Sequence, residues 1–115
     1  MSKLETALET ALQRQTFIKQ VQDVVGPYKV HSELVGENFA VYIKWFDPLQ
    51  NETLILALWA DGWFELGYYS SDHLDGFGTA KEGFALFEAK RYEQIELYRR
   101  KILRERKERL QQVTV

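Results

Sequence analysis

The chain has 115 residues and a mass of 13.5 kDa, with 45% apolar, 28% charged and 14% aromatic residues and a formal net charge of −2. That balance excludes a wholly disordered or fibrous chain, and the length points to one domain that can bury roughly two-thirds of its unfolded surface without a disulfide or metal. The absence of Cys removes disulfides, Cys-ligated zinc, iron–sulfur centres and Cys nucleophiles, and two His are too few for a His-based metal cage.

The first residues, Met1 to Thr6, lack a basic segment followed by an apolar core, so they do not read as a secretory signal. The longest apolar run, Leu54 to Ala60, has seven residues, far below the ~18 of a membrane span. A cytoplasmic protein with no membrane partner is expected.

Ser2-Lys3-Leu4-Glu5 fits a capping box, and Leu4, Leu8, Ala11, Ile18 and Val21 follow at helical spacing until Gly26-Pro27 ends the pattern. Helix 1 is predicted over 3–25. Four strands follow, at 28–35, 39–46, 53–60 and 63–69, each with period-two alternation or a short apolar run. Gly36-Glu37, Asp47 to Glu52 and Asp61-Gly62 supply the turns. Residues 70–78 read as an irregular loop. Thr79-Ala80-Lys81-Glu82 is a second capping box, opening a helix predicted over 80–112 with Phe84, Phe87, Arg91, Ile95, Tyr98 and Ile102 on its inner stripe. The fold class is therefore α+β in the order α-β-β-β-β-α: a four-stranded antiparallel meander with an N-terminal helix and a long C-terminal helix. No segment carries a family motif.

Taking Asp61-Gly62 as a two-residue hairpin loop opposes Trp59 to Phe64, Ala57 to Leu66 and Ile55 to Tyr68. Those six residues then share one face. Leu54, Leu56, Leu58, Ala60, Trp63, Glu65, Gly67 and Tyr69 share the other. Both faces are largely apolar, which a sheet covered on one side should not be. Helices straddling both faces, a homodimer through the sheet, or another bound partner or ligand would each explain this; C2 dimers are the commonest assembly. The last helix, at 1.5 Å per residue, spans roughly 45–50 Å against a domain about 35 Å across, so its end should overhang.

That end is basic. Residues 99–109 contain Arg99, Arg100, Lys101, Arg104, Arg106, Lys107 and Arg109 with Glu105 and Glu108, a net of +5, while the rest of the chain carries −7. Such a block either complements the helix dipole in solvent or meets an acidic partner.

Candidate chemistry is sparse. Asp72, His73 and Asp75 lie together in the 70–78 loop, but without EF-hand spacing or further His residues they read as turn residues. Gly76-Phe77-Gly78 precedes no Gly-Lys-Ser or Gly-Lys-Thr, so it is no phosphate loop. Glu65 on an apolar face could be an acid with a raised pKa or a carboxylate reaching the rim. No Ser can be paired with a base. No catalytic, metal or cofactor site is expected. The leading expectation is a non-enzymatic, homodimeric interaction protein that contacts a protein partner through Tyr42, Trp59, Phe64 and Tyr68 and through Arg99, Arg100, Lys101, Arg104, Arg106 and Lys107. The alternatives are a nucleic-acid-associated regulator using 99–109, since aromatics on a sheet can stack bases, and a small-molecule binder with a pocket between sheet and helices.

Overall fold

The structure is a computed structural model describing residues 2–35, 38–70 and 73–113. In chain order it contains α1 (Lys3–Val25), β1 (His31–Val35), β2 (Asn38–Asp47), β3 (Glu52–Trp59), β4 (Trp63–Tyr68), β5 (Leu74–Phe77) and α2 (Ala80–Val113). The strands form one antiparallel sheet in the order β1-β2-β3-β4-β5, giving an α+β fold.

Local chemistry sets the helix ends. The Ser2 hydroxyl accepts from the Glu5 amide at 3.1 Å, and Gly26, at φ +63°, donates its N–H back to the Gln22 carbonyl at 3.0 Å. A positive φ of that kind suits glycine, which has no Cβ to clash. At α2, the Thr79 hydroxyl accepts from the Glu82 amide at 3.1 Å.

Two expectations about the sheet need correction. The 70–78 segment is not wholly irregular, because Leu74–Phe77 pairs with β4 as a fifth strand. It is short and glycine-containing, so alternation does not reveal it. Gly76 lies so close to the Phe64 ring that a Cβ there would stand 2.8 Å from its Cζ, which explains a glycine inside a strand. The first strand begins at His31 rather than Tyr28, although Tyr28 and Val30 still pack against the core. The expected turn at Gly36-Glu37 lies outside the described residues.

The register also differs by one residue. Three residues, Ala60 to Gly62, join β3 to β4. The Gly62 amide donates to the Trp59 carbonyl at 3.0 Å, and Gly62 takes φ +95°. Leu58 therefore faces Phe64, Leu56 faces Leu66 and Leu54 faces Tyr68. A shift of one position exchanges every side chain of β4 between faces.

On the corrected register, one face collects Val41, Leu58 and Phe64 in one row, Ile43, Leu56 and Leu66 in the next, and Trp45, Leu54 and Tyr68 in the third. Eight of these are buried with Val21 and Val25 of α1 and Phe87 of α2 in one cluster, against which Trp45 packs. Both helices thus cover the same face and do not straddle the sheet. Close approach of α2 depends on Gly83, where an added Cβ would meet Leu58 Cδ2 at 2.9 Å.

The helices leave the sheet at opposite ends. Phe17 and Arg14 of α1 sit on Phe39 near the start of β2, and Leu4, Leu8 and Leu12 beyond them are exposed. Gln94 of α2 bonds Asp47 at the far end of β2, and every residue from Leu103 to Gln112 is exposed. The molecule accordingly measures 81 × 26 × 20 Å with a radius of gyration of 19.4 Å, against about 13 Å for a globule of this length.

Candidate functional site

Alternation along the strands determines what the second, helix-free face displays. Its rows run across the sheet: His31, Tyr42, Ala57, Glu65 and Asp75 in one, and Lys44, Ile55 and Gly67 in the next. Ala40 opposes Trp59 at the hairpin end. Trp63 opposes Phe77, their rings meeting edge to face at 4.5 Å between centroids. The imidazole of His31 stacks on Tyr42 at 5.3 Å, and Lys44 Nζ stands 5.4 Å from the centre of the same ring. Tyr69 is 75% exposed and Phe77 70%.

The middle of this face is hollow. Ala57 and Gly67 put no bulk above the backbone, and the taller Tyr42, Trp59, Tyr69 and His73 rise around them. One depression of about 210 Å³ is lined by Tyr42, Lys44, Ile55, Ala57, Trp59 and Tyr69, among others. A second, of about 80 Å³, shares Ile55, Ala57 and Tyr69 and ends at Glu65, Gly67 and His73. The two form one trough. Gly67 is required there: an added Cβ would lie 2.5 Å from His73 Cδ2. His73 Nε2 donates to the Tyr68 carbonyl at 3.1 Å, and its Nδ1 stands 3.8 Å from Glu65. The Trp59 indole N–H is buried without a hydrogen-bond partner among the described residues.

The covered face holds the best-satisfied polar groups. Asp47 is fully buried. It accepts from Gln94 Nε2 at 2.9 Å, from the Leu49 amide at 2.9 Å, from the Gln50 amide at 3.3 Å and from the Tyr68 hydroxyl. Burial, and then the bond to Asp47, push the Tyr68 hydroxyl well above the usual tyrosine range. Every oxygen of Asp47 is engaged, so the cluster is a clamp between the β2–β3 loop, β4 and α2, with no position open to a substrate. Sequence reading treated Asp47 as a turn residue and passed over Gln94; a Gln inside an apolar helical stripe was the available signal. A similar clamp joins Tyr28, whose hydroxyl donates to Glu88 at 2.7 Å, to Arg91, which holds both Glu88 oxygens at 3.1 Å. Burial and the Glu88 bond raise Tyr28 to about 12. Burial alone would raise Glu88, but Arg91 and Tyr28 outweigh it and hold the carboxyl below its ordinary value.

Of the aromatic residues singled out in the sequence, Tyr42 and Trp59 lie on the helix-free face. Phe64 and Tyr68 lie on the other, buried beneath α2, because of the one-residue register shift. Trp63, Phe77 and Tyr69 belong to the helix-free face instead. Arg99, Arg100, Lys101, Arg104, Arg106 and Lys107 are all exposed on the end of α2, where Arg100 pairs with Glu96 at 3.3 Å. Asp72 lies outside the described residues. Among the described residues, no group of three or more His, Asp or Glu side chains could hold a metal ion, and no helix is long and apolar enough to cross a membrane. On the covered side, an open groove of about 370 Å³ runs between α2 and β4–β5, lined by Leu54, Leu66, Leu74, Leu86 and Ala89, among others.

Comparison with known protein families, with characterised proteins and with solved structures returned no match.

Proposed function

We propose that this chain is a non-enzymatic interaction protein that self-associates through the helix-free face of its sheet and engages an acidic protein partner through the basic end of α2. One observation carries the reading. Both helices pack on one face, and the other retains Tyr42, Ile55, Trp59, Trp63, Tyr69 and Phe77. An apolar surface of that extent, rimmed by Lys44, Glu65 and Asp75, is the composition of an interface rather than of a solvated sheet. Closed symmetry between identical chains is the commonest way to cover such a face. The polar groups with shifted pKa values, Tyr28, Tyr68, Glu88 and Arg91, are engaged in clamps, which argues against general acid–base chemistry at those positions. The α2 end adds a net +5 over 99–109 on a helix directed away from the sheet.

Light scattering between about 1 and 100 μM tests the first contact. The intact chain should rise towards twice 13.5 kDa, and Ile55→Asp, which sets a charge in the trough, should remain a monomer with an unchanged circular dichroism spectrum. A monomer throughout that range would overturn the reading. Truncation after Tyr98 tests the second contact. Its removal should leave dimerisation intact and abolish salt-sensitive binding of an acidic peptide, because exposed charges are screened beyond ~8 Å at physiological salt. Co-purification of nucleic acid with the intact chain, lost on the same truncation, would assign the basic end to nucleic acid instead.

A further inference from the structure

We infer that the second copy lies across the helix-free face about a two-fold axis parallel to β3, so that the β1–β2 flank of each copy covers the β4–β5 flank of the other. The inference rests on the self-association proposed above and adds its geometry. A two-fold axis that stacks two sheets face to face with their strands aligned lies between them, either along the strands or across them. An axis across the strands sets each flank on its own equivalent. An axis along the strands sets each flank on the opposite one.

Charge decides between the two. The β1–β2 flank presents Lys44 and the imidazole of His31; the β4–β5 flank presents Glu65 and Asp75. With the axis across the strands and over Ala57, Glu65 falls on the partner's Glu65 and Asp75 on the partner's Asp75. With the axis along β3, the row His31–Tyr42–Ala57–Glu65–Asp75 runs antiparallel to its own copy. His31 then meets the partner's Asp75, Tyr42 meets the partner's Glu65, and Lys44 lies one row from that same carboxylate. Like charges juxtaposed in an interface are costly, whereas opposite ones fix its register. Among the described residues Glu33 is the one acid on the β1–β2 flank; it is exposed at the hairpin end of the depression that Lys44 also lines, and the axis along β3 sets it over the partner's Phe77 rather than over a carboxylate.

Shape agrees. Ala57 lies on the central strand in an inner row, between Ile55 and Trp59, so the axis passes over the lowest point of the trough. The two β3 strands can approach there, with Ile55 and Trp59 packing on their own equivalents to either side. Five strands at about 4.8 Å and four rows of side chains at about 7 Å make a face roughly 20 Å by 20 Å. That is small beside the ~800 Å² per partner of a standard interface. The dimer should therefore be weak, dissociating in the micromolar range.

The absence of Cys makes the axis directly measurable. With a short bis-maleimide cross-linker, which spans the roughly 10 Å between facing sheets that a disulfide cannot, a mixture of His31→Cys and Asp75→Cys chains should form covalently linked dimers, while either variant alone should not. Self-cross-linking of His31→Cys alone would overturn the proposed axis. In parallel, Lys44→Glu should weaken dimerisation roughly fivefold or more, and Lys44→Glu combined with Glu65→Lys should restore it to within about twofold. An axis across the strands predicts no loss from the single change and no rescue from the pair. If the intact chain dimerises and Ile55→Asp abolishes this, but Lys44→Glu has no effect, the axis fails and the interface stands. If the intact chain never dimerises, the interface fails with it.

Discussion

Two faces of one sheet are built from alternate residues of the same strands, and they have opposite fates. Leu54, Leu56 and Leu58 of β3 are buried beneath the helices, whereas Ile55, Ala57 and Trp59 between them are half-exposed. Apolar character did not choose the covered side, since both faces have it. Two features of the covered side did. Gly83 lets α2 settle onto Leu56, Leu58 and Phe64, and the buried polar side chains there find full sets of partners. On the helix-free side the polar contacts are looser: Glu65 and His73 stand 3.8 Å apart, and the Trp59 N–H has no acceptor among the described residues. The lesson is that a covered face is recognised by satisfied polar groups and close backbone approach, and a face awaiting a partner by their absence.

The largest expected effect lies in the covered clamp. Asp47→Ala would strand the Tyr68 hydroxyl, the Gln94 amide and two loop N–H groups in a buried site. Unpaired buried groups cost about 1–3 kcal/mol each, although the loop amides can turn to water. A loss of about 3–5 kcal/mol in urea unfolding is expected. A loss under 1 kcal/mol would show that the clamp contributes little to the contrast.

Adjacent residues sharpen the comparison within one strand. Leu56→Ala removes a side chain with no exposed area and should cost about 3–4 kcal/mol. Ile55→Ala, one position along, should cost about 1 kcal/mol in a dilute monomer, because its site is already half open. The gap should narrow as concentration rises and the dimer covers Ile55. Equal losses in dilute monomer would mean that both faces are core.

How much of this was legible beforehand follows from where the signals are local. The bounds of α1 come from Ser2 and Gly26-Pro27, and those of α2 from Thr79, all within a turn of the helix end they define. The register depended on whether the hairpin loop has two residues or three. Asp61-Gly62 supports either, because a left-handed Gly62 serves both turns. That single ambiguity moved Phe64 and Tyr68 to the wrong face and hid Trp63 and Tyr69. The fifth strand escaped because Gly76 replaces the apolar residue that alternation requires, for the sake of the Phe64 ring. The Asp47–Gln94 contact joins residues 47 positions apart, beyond the reach of any local pattern.

A smaller effect concerns acid. Glu88 is held below its ordinary pKa of 4.5 in the fold, so its contribution is present above that pH and is lost as the pH falls through the lowered value. Tyr28, raised to about 12, acts in the opposite sense: its contribution is present below 10 and is lost as the pH climbs towards 12. Glu88→Gln should therefore flatten the decline in the urea midpoint below pH 4.5 and bring the Tyr28 phenolate absorbance to lower pH. An acid profile unchanged by Glu88→Gln would show that the clamp is not the source.

The smallest effect is expected at Trp59, and it bears most directly on the contrast between the faces. Replacing a half-buried Trp by Phe ordinarily loses ring area and the indole hydrogen bond. Here the N–H is buried with no acceptor among the described residues, so removing it relieves about 1–3 kcal/mol of desolvation, which offsets the lost area. Trp59→Phe should change stability by less than about 1 kcal/mol, whereas Trp59→Ala should cost about 2–3 kcal/mol. Dimerisation should follow the same order, since Phe keeps an aromatic side chain beside the trough. A loss above 2 kcal/mol for Trp59→Phe would mean that the N–H has found an acceptor in solution. The two faces would then no longer differ in how well their polar groups are satisfied, and the unsatisfied indole would cease to support a partner on this side of the sheet.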